Sequence, residues 1–313
     1  MRRATVLLLL LALLPGCGFG EGESSGEAMV TVTRDFGLEP VGEGSADGTP
    51  GGTVMRLLQG SFDVKTRYGG GFVQEIDGLS GGREDGRQVD WFYYVNGIEA
   101  SMGAAERELE DGDRVWWDHH AWDAAQRIPA VVGSYPEPFV SGAEGKKFPV
   151  KLVCVGDVER SCDEVATRLE DSGVRAISRS VIQQSPGEEI LRVIVGRWAD
   201  VRGDAVTRRL EQGPSATGVF VRPAASGTEL VLLDTAGRPA RTLRAGAGLV
   251  AATAVEAQAP TWVVTGTDDV GVAAAAASVS EERLRDHFAV AVDGGRDVPL
   301  PIAGPPIGPE RNR

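Results

Sequence analysis

The sequence predicts an α+β chain of two folded units: a β-grasp-like domain over residues 28–125 and a ferredoxin-like α+β region over 148–302. Three observations predict it. An alternating aromatic run at 91–95 meets an Asn96-Gly97 pair that favours a tight hairpin. Beyond residue 150, apolar runs and helical periodicity follow in the order βαββαβ. Between these units Pro136, Pro138, Gly142 and Gly145 crowd into a short span, which reads as a linker over 126–147. At 313 residues the chain is long enough for two cores of ordinary size.

In the first unit Val30 and Val32 alternate with Thr31 and Thr33, the pattern of a half-buried strand. After Pro50-Gly51-Gly52, Val54, Leu57 and Leu58 stand at helical spacing, and Thr53 is placed to cap that helix. Phe72, Val73 and Ile76 read as a strand. Asp111-Gly112-Asp113 is a turn leading into a strand through Val115-Trp116-Trp117. A strand, a helix and then aromatic strands give the β-grasp-like outline.

In the second unit a strand at 150–155 precedes a helix at 163–171, with Val165, Ala166 and Leu169 on one face and Gly173 at its end. Strands at 174–182 and 190–196, a helix at 200–210 and a fourth strand at 219–221 complete the ferredoxin-like order. A hairpin at Ala236-Gly237, a strand at 262–265, one or two helices within 271–286 and a strand at 288–292 follow. The tail, 303–313, holds Pro305, Pro306 and Pro309 and reads as disordered.

The compartment is read at the N-terminus. Arg2 and Arg3 precede an apolar run too short to span a bilayer. Leu14-Pro15-Gly16-Cys17 follows directly and resembles a bacterial lipobox. That resemblance implies a signal peptide over 1–16 and an acylated, palmitate-bearing Cys17. It also implies a place on the outer face of the cell membrane, since several acyl chains together anchor stably. The small, polar and acidic stretch that follows cannot bury enough apolar surface to fold, so 17–27 reads as an acidic tether. Loss of residues 1–16 removes Arg2 and Arg3 and moves the formal charge from −13 to about −15. Such an acidic surface repels phosphate backbones, so no nucleic-acid partner is expected. Cys154 and Cys162 remain as an even pair in an oxidising compartment. A disulfide is the first reading, two free thiols the second.

The densest aromatic cluster is Asp90-Trp91-Phe92-Tyr93-Tyr94-Val95-Asn96-Gly97. Alternation places Trp91, Tyr93 and Val95 on one face and Phe92 and Tyr94 on the other. One face should fill the core. The other is a stacking surface for a flat ligand or partner, or else both faces pack. Trp116, His120 and Trp122 extend the cluster, and Trp116 and His120 would line a groove. Asp118 and His120 share a strand face and could hold a metal with help from elsewhere, but a polar hairpin end is the simpler reading. Ser61, Ser134 and Ser141 lack a nucleophile-elbow context, and no acid–base pair or phosphate-cradling loop stands out. No enzyme, cofactor or resident metal is expected.

The aromatic strand, the Asn-Gly turn, Gly103-Ala104, Leu109, Asp111-Gly112-Asp113 and Val115-Trp116 occur in an order that resembles the C-terminal β-grasp-like domain of transcobalamin and intrinsic factor, over about 28–120. The resemblance implies a corrinoid, or another flat small molecule, held by Trp91, Tyr93, Tyr94, Trp116, His120 and Trp122. In the second unit Arg192-Val193-Ile194-Val195-Gly196-Arg197-Trp198 and Gly218-Val219-Phe220-Val221 resemble the cell-wall-binding sporulation-related repeat. Two functions follow. The first is a membrane-anchored lipoprotein that binds a small ligand for a membrane partner such as a transporter. The alternative is a cell-envelope interaction protein, touching the cell wall or another protein, with no small-molecule ligand.

Overall fold

A computed structural model of the chain describes residues 27–47, 52–181, 189–255 and 258–303. Cys17, the leader and the tail beyond 303 lie outside them, and Glu27, expected in the tether, already belongs to the first strand. The architecture is mixed α and β, with several sheets and few helices. Among the described residues no helix is long and apolar enough to cross a membrane.

The first half is organised by one sheet. β1 (Glu27–Arg34) and β2 (Glu39–Asp47) form an antiparallel hairpin, followed by α1 (Val54–Ser61). A small sheet of β3 (Val64–Arg67), β4 (Phe72–Ile76) and β5 (Leu79–Ser80) comes next. β6 (Gly82–Glu84), β7 (Arg87–Val95), β8 (Ile98–Glu99) and β9 (Arg114–Ala121) then complete a main sheet of order β2-β1-β9-β7-β6, with β8 paired to β7. β1 and β9 run parallel at its centre. Local chemistry matches the expectation. Thr53 Oγ1 accepts the Arg56 N–H at 3.3 Å and caps α1. Asn96 and Gly97 have φ of 53° and 75°, the positive values a tight hairpin turn demands.

Alternation gives this sheet two buried faces. Val30, Val32, Trp91, Val95, Val115 and Trp117 pack against the apolar side of α1. Tyr94 and Trp116 point the other way, into a core supplied mainly by the second half.

In that half, β10 (Val150–Val155), α2 (Glu159–Asp171), β11 (Ile177–Ser180) and β12 (Leu191–Arg197) come first. Three short helices follow, α3 (Trp198–Val201), α4 (Ala205–Arg208) and α5 (Pro214–Thr217), and then a small sheet of β13 (Val221–Pro223), β14 (Leu230–Leu233) and β15 (Pro239–Leu243). β16 (Gly248–Thr253), β17 (Thr261–Gly266), α6 (Asp269–Ala277), α7 (Glu281–Leu284), β18 (Ala289–Asp293) and β19 (Arg296–Leu300) close the chain. The large sheet has the order β11-β10-β12-β17-β16-β18-β19.

This order corrects the ferredoxin-like reading. β11, β10, β12 and β17 are all parallel, whereas a ferredoxin-like sheet is antiparallel. The 219–221 segment leads into a separate small sheet. The physical reason is two-sided burial: β17 is buried at every position, and so is β12 up to Gly196. Such strands, buried on both faces, belong to parallel sheets covered on both sides. The helix expected over 200–210 is broken, because the Asp204 carboxylate accepts the N–H groups of Val206 and Thr207 and starts a new helix there.

The linker reading is also corrected. Val131, Val132, Tyr135 and Phe139 are buried, and Phe139 packs edge-on against Trp262 at 4.9 Å. The Pro- and Gly-rich span is a packed seam between the halves. Its backbone turns need those residues, while its apolar side chains fill both neighbouring cores.

The joint itself centres on Asp118, which is fully buried. Its carboxylate accepts the N–H groups of Phe36 (3.0 Å) and Gly37 (2.9 Å), the Thr33 hydroxyl (2.5 Å) and the His120 Nδ1–H (2.7 Å). Trp116 Nε1–H donates to Thr33 Oγ1 at 2.7 Å. Both carboxylate oxygens are thus occupied. Among the described residues no three His, Cys, Asp or Glu side chains converge to hold a metal ion.

Asp118→Ala strands four donors, three of them buried, and is expected to lower unfolding stability by about 3–5 kcal/mol. Thr33→Val should cost nearer 1 kcal/mol, both read from urea midpoints at constant slope. A second buried pair sets acid sensitivity. Arg192 donates to Asp204 at 2.6 Å, and both side chains are 2% exposed. Burial pushes the Asp204 carboxyl up, but the Arg192 hydrogen bond and the helix-start N–H groups outweigh it, and the group ends below the usual carboxylate range. A depressed folded pKa stabilises above the unfolded value, about 3.9, and that stabilisation is lost as pH falls through the folded value. Asp204→Asn should therefore flatten the acid limb of the stability profile.

Candidate functional site

The aromatic residues singled out by the sequence are brought together, but as packing. Trp91 is 6% exposed and donates its Nε1–H to the Leu79 carbonyl at 3.1 Å. Tyr93 is half-buried, stacks on Trp117 at 4.7 Å and donates its hydroxyl to the Met102 carbonyl. Burial pushes its phenol up to about 12. Tyr94 is fully buried, edge-on to Phe288 at 5.5 Å. Trp116 meets the same Phe288 ring at 5.0 Å. His120 lies between Phe36 and Phe92, with ring centroids at 4.5 and 4.4 Å. Trp122 stands half-buried just past the end of β9.

The open groove expected along Trp91, Tyr93, Tyr94, Trp116 and His120 is therefore absent from the described residues. The reason is tertiary. α1 covers one face of the sheet, and Phe36, Phe220 and Phe288 cover the other.

A different concavity is open. β10 ends at Val155, the chain turns through Gly156-Asp157-Val158, and α2 begins. Cys154 and Cys162 are joined by a disulfide with Cα atoms 6.0 Å apart, which fastens the strand end to the first turn of the helix. Gly156 has φ of +80°, and a Cβ there would come within 2.9 Å of the Asp200 carboxylate. This loop, the end of β11 and the start of α6 surround a cleft of about 1190 Å³.

The cleft lies at the carboxyl ends of the parallel strands β10, β11 and β17. α2 packs on one face of the sheet and α3 on the other, so β10 and β12 meet where the winding direction reverses. Open sheets of this kind bind ligands at that edge.

The walls combine apolar and polar groups. Val181 and Val270 are 77% and 69% exposed, unusual for valines, and both face the cleft with Ala273 and the buried Val158. Arg179 is paired with Asp163 at 2.5 Å, and Asp269 is paired with Arg197 at 2.5 Å. The sequence reading missed Gly156, Ser161, Val181 and Val270. The available signal was an apolar strand running through Gly156 straight into a helix, but it points to a crevice only once the strands are known to be parallel.

Residues 51–121 match a family described as a domain of unknown function, DUF4430. No curated protein matches the chain. Among solved structures, the chain is similar to a candidate metal-binding protein from Ruminococcus gnavus ATCC 29149, at 17% identity and a TM-score of 0.24. The similarity covers 31% of this chain and 97% of that one.

Proposed function

We propose that this chain is a non-catalytic, lipid-anchored protein of the outer membrane face that binds a small ligand in the cleft beside α2 for a membrane partner, a transporter being the first class to test. The cleft carries this reading. It is large enough for a cofactor-sized molecule. Its two bared valines leave apolar surface in water that a ligand would cover, at about 25 cal/mol per Å². The Cys154–Cys162 disulfide supports a place outside the reducing cytoplasm.

The first half is read as β-grasp-like. The parallel pair β1 and β9, flanked by antiparallel β2 and β7 with α1 across one face, supports this. Its resemblance to cobalamin-binding proteins makes a corrinoid the first ligand to test. Its buried aromatics direct that test to the cleft rather than to the hairpin.

Calorimetric titration of the purified protein with cobinamide is expected to give a Kd on the order of micromolar, about −8 kcal/mol. Val270→Trp, which puts an indole at the cleft mouth, should abolish the heat. No heat at millimolar cobinamide removes corrinoids and leaves the cleft to other chemistry. Heat that survives Val270→Trp moves the site elsewhere. Cys17→Ser is expected to shift the protein from the membrane to the soluble fraction of cells, or to leave it uncleaved. A cleaved variant retained on the membrane as before would remove the anchor.

A further inference from the structure

We infer that the free edge of β2 is a docking site for an extended, basic polypeptide segment, which adds to the first sheet as one more strand. This surface is separate from the cleft beside α2. It joins an open strand edge to an acidic groove.

β2 stands at the end of the main sheet of the first half, and among the described residues β1 is its one neighbour in that sheet. It is nine residues long. The other outer strands of the two large sheets, β6, β11 and β19, span three, four and five residues. Soluble proteins blunt long edges with proline, lysine or bulges. The proline of β2 is at position 40, close to the hairpin turn, and from Gly42 to Asp47 the strand pairs with β1 in unbroken register. Gly42, Gly44, Ser45 and Ala46 add little bulk along that stretch. Its outward N–H and C=O groups are a template for a further strand.

One face of this edge opens into a groove. Val30 and Val32 face α1, so alternation turns Met29, Thr31 and Glu43 to the opposite side. There the sheet, Gly133-Ser134 and the α7 region enclose about 440 Å³. Four carboxylates line the groove, Glu27, Glu43, Glu281 and Asp286, against two guanidiniums, Arg114 and Arg285. Glu281 engages both guanidiniums, at 2.8 and 3.2 Å. Glu27, Glu43 and Asp286 have no ion-pair partner among the described residues. Met29, 43% exposed, offers apolar surface beside them for the aliphatic stem of a lysine or arginine.

Charge selects the occupant. A strand added at β2 sets every second side chain on the groove face, beside Glu43. Lysine or arginine there meets carboxylates that lack partners. A second copy of β2 would bring its own glutamates against Glu43, so pairing of two copies through this edge is disfavoured. The formal charge of −13 steers the same basic partner at longer range.

The probe is a fluorescein-labelled peptide of about ten residues in which threonine and lysine alternate, long enough for one strand. Its binding to the full chain is followed by anisotropy at low salt. A version with every backbone amide N-methylated keeps the charge and loses the donors, and is expected to bind at least about tenfold more weakly. A threonine–glutamate peptide should not bind. Glu43→Lys, on an exposed side chain, should weaken the lysine peptide about tenfold. Asp286→Asn gives a second groove variant should Glu43→Lys fail to fold. Asparagine tolerates the φ of 58° at that position, and the loss of one carboxylate should weaken binding about threefold. Amide hydrogen exchange over 42–46 should slow when the peptide is bound.

No binding of the lysine peptide overturns the inference. Equal affinity of the N-methylated version means that charge alone holds the peptide, and overturns strand addition. Equal affinity of the glutamate peptide overturns the basic partner. Binding that ignores both groove variants, or unchanged exchange over 42–46, places the peptide elsewhere and also overturns the inference. Val270→Trp should leave peptide binding unchanged, so loss of the cleft as a ligand site and loss of this edge as a docking site are read separately.

Discussion

The fold depends on a costly turn held by one buried carboxylate. Asp35, Phe36 and Gly37 all have positive φ, at 53°, 63° and 81°. For side chains with a Cβ that conformation costs on the order of 1 kcal/mol each. Glycine is required at position 37 for a second reason: a Cβ there would lie 1.9 Å from the Asp286 carbonyl oxygen, on the other half of the molecule. Asp118 offsets the cost by accepting the N–H groups of Phe36 and Gly37. The turn in exchange delivers the Phe36 ring to His120, Phe220 and Phe288. A hairpin of the first sheet thereby becomes part of the core of the second half.

The aromatic cluster takes its role from this joint. A sheet with strictly alternating apolar side chains has two faces to bury. α1 can cover only one of them. The second half covers the other, and the seam at 126–147 fills the space between, with Tyr135 hydrogen-bonded to the Arg168 carbonyl of α2. Arg114 spans the same boundary, donating to Glu281 and to the Tyr135 carbonyl. Rings expected to meet a ligand are instead the means by which the halves pack against each other.

Covering one face of the parallel sheet with the first half, and the other with α2 and α6, leaves its strand ends as the place for a cleft. There the disulfide holds the loop after β10 close to α2, and Gly156 lets that loop approach Asp200. The rigid scaffold and the open edge are consequences of the same packing. Side chains in the sheet interior are fixed by burial, whereas Val181 and Val270, at the ends of elements, are left in water.

Local chemistry was legible in the sequence. The Thr53 cap, the Asn96-Gly97 hairpin, the strand through Val115 to Trp117 and the pairing of Cys154 with Cys162 each depend on residues close in the chain, and each is found. Alternation on β7 also predicted which aromatics share a face. What covers each face could not be read, because burial is decided by partners more than a hundred residues away, such as Phe220 and Phe288 for Phe36. The same holds for strand direction. An apolar run such as Val193-Ile194-Val195 fits any fully buried strand, and only its neighbours in space made the sheet parallel and opened the cleft at its carboxyl edge.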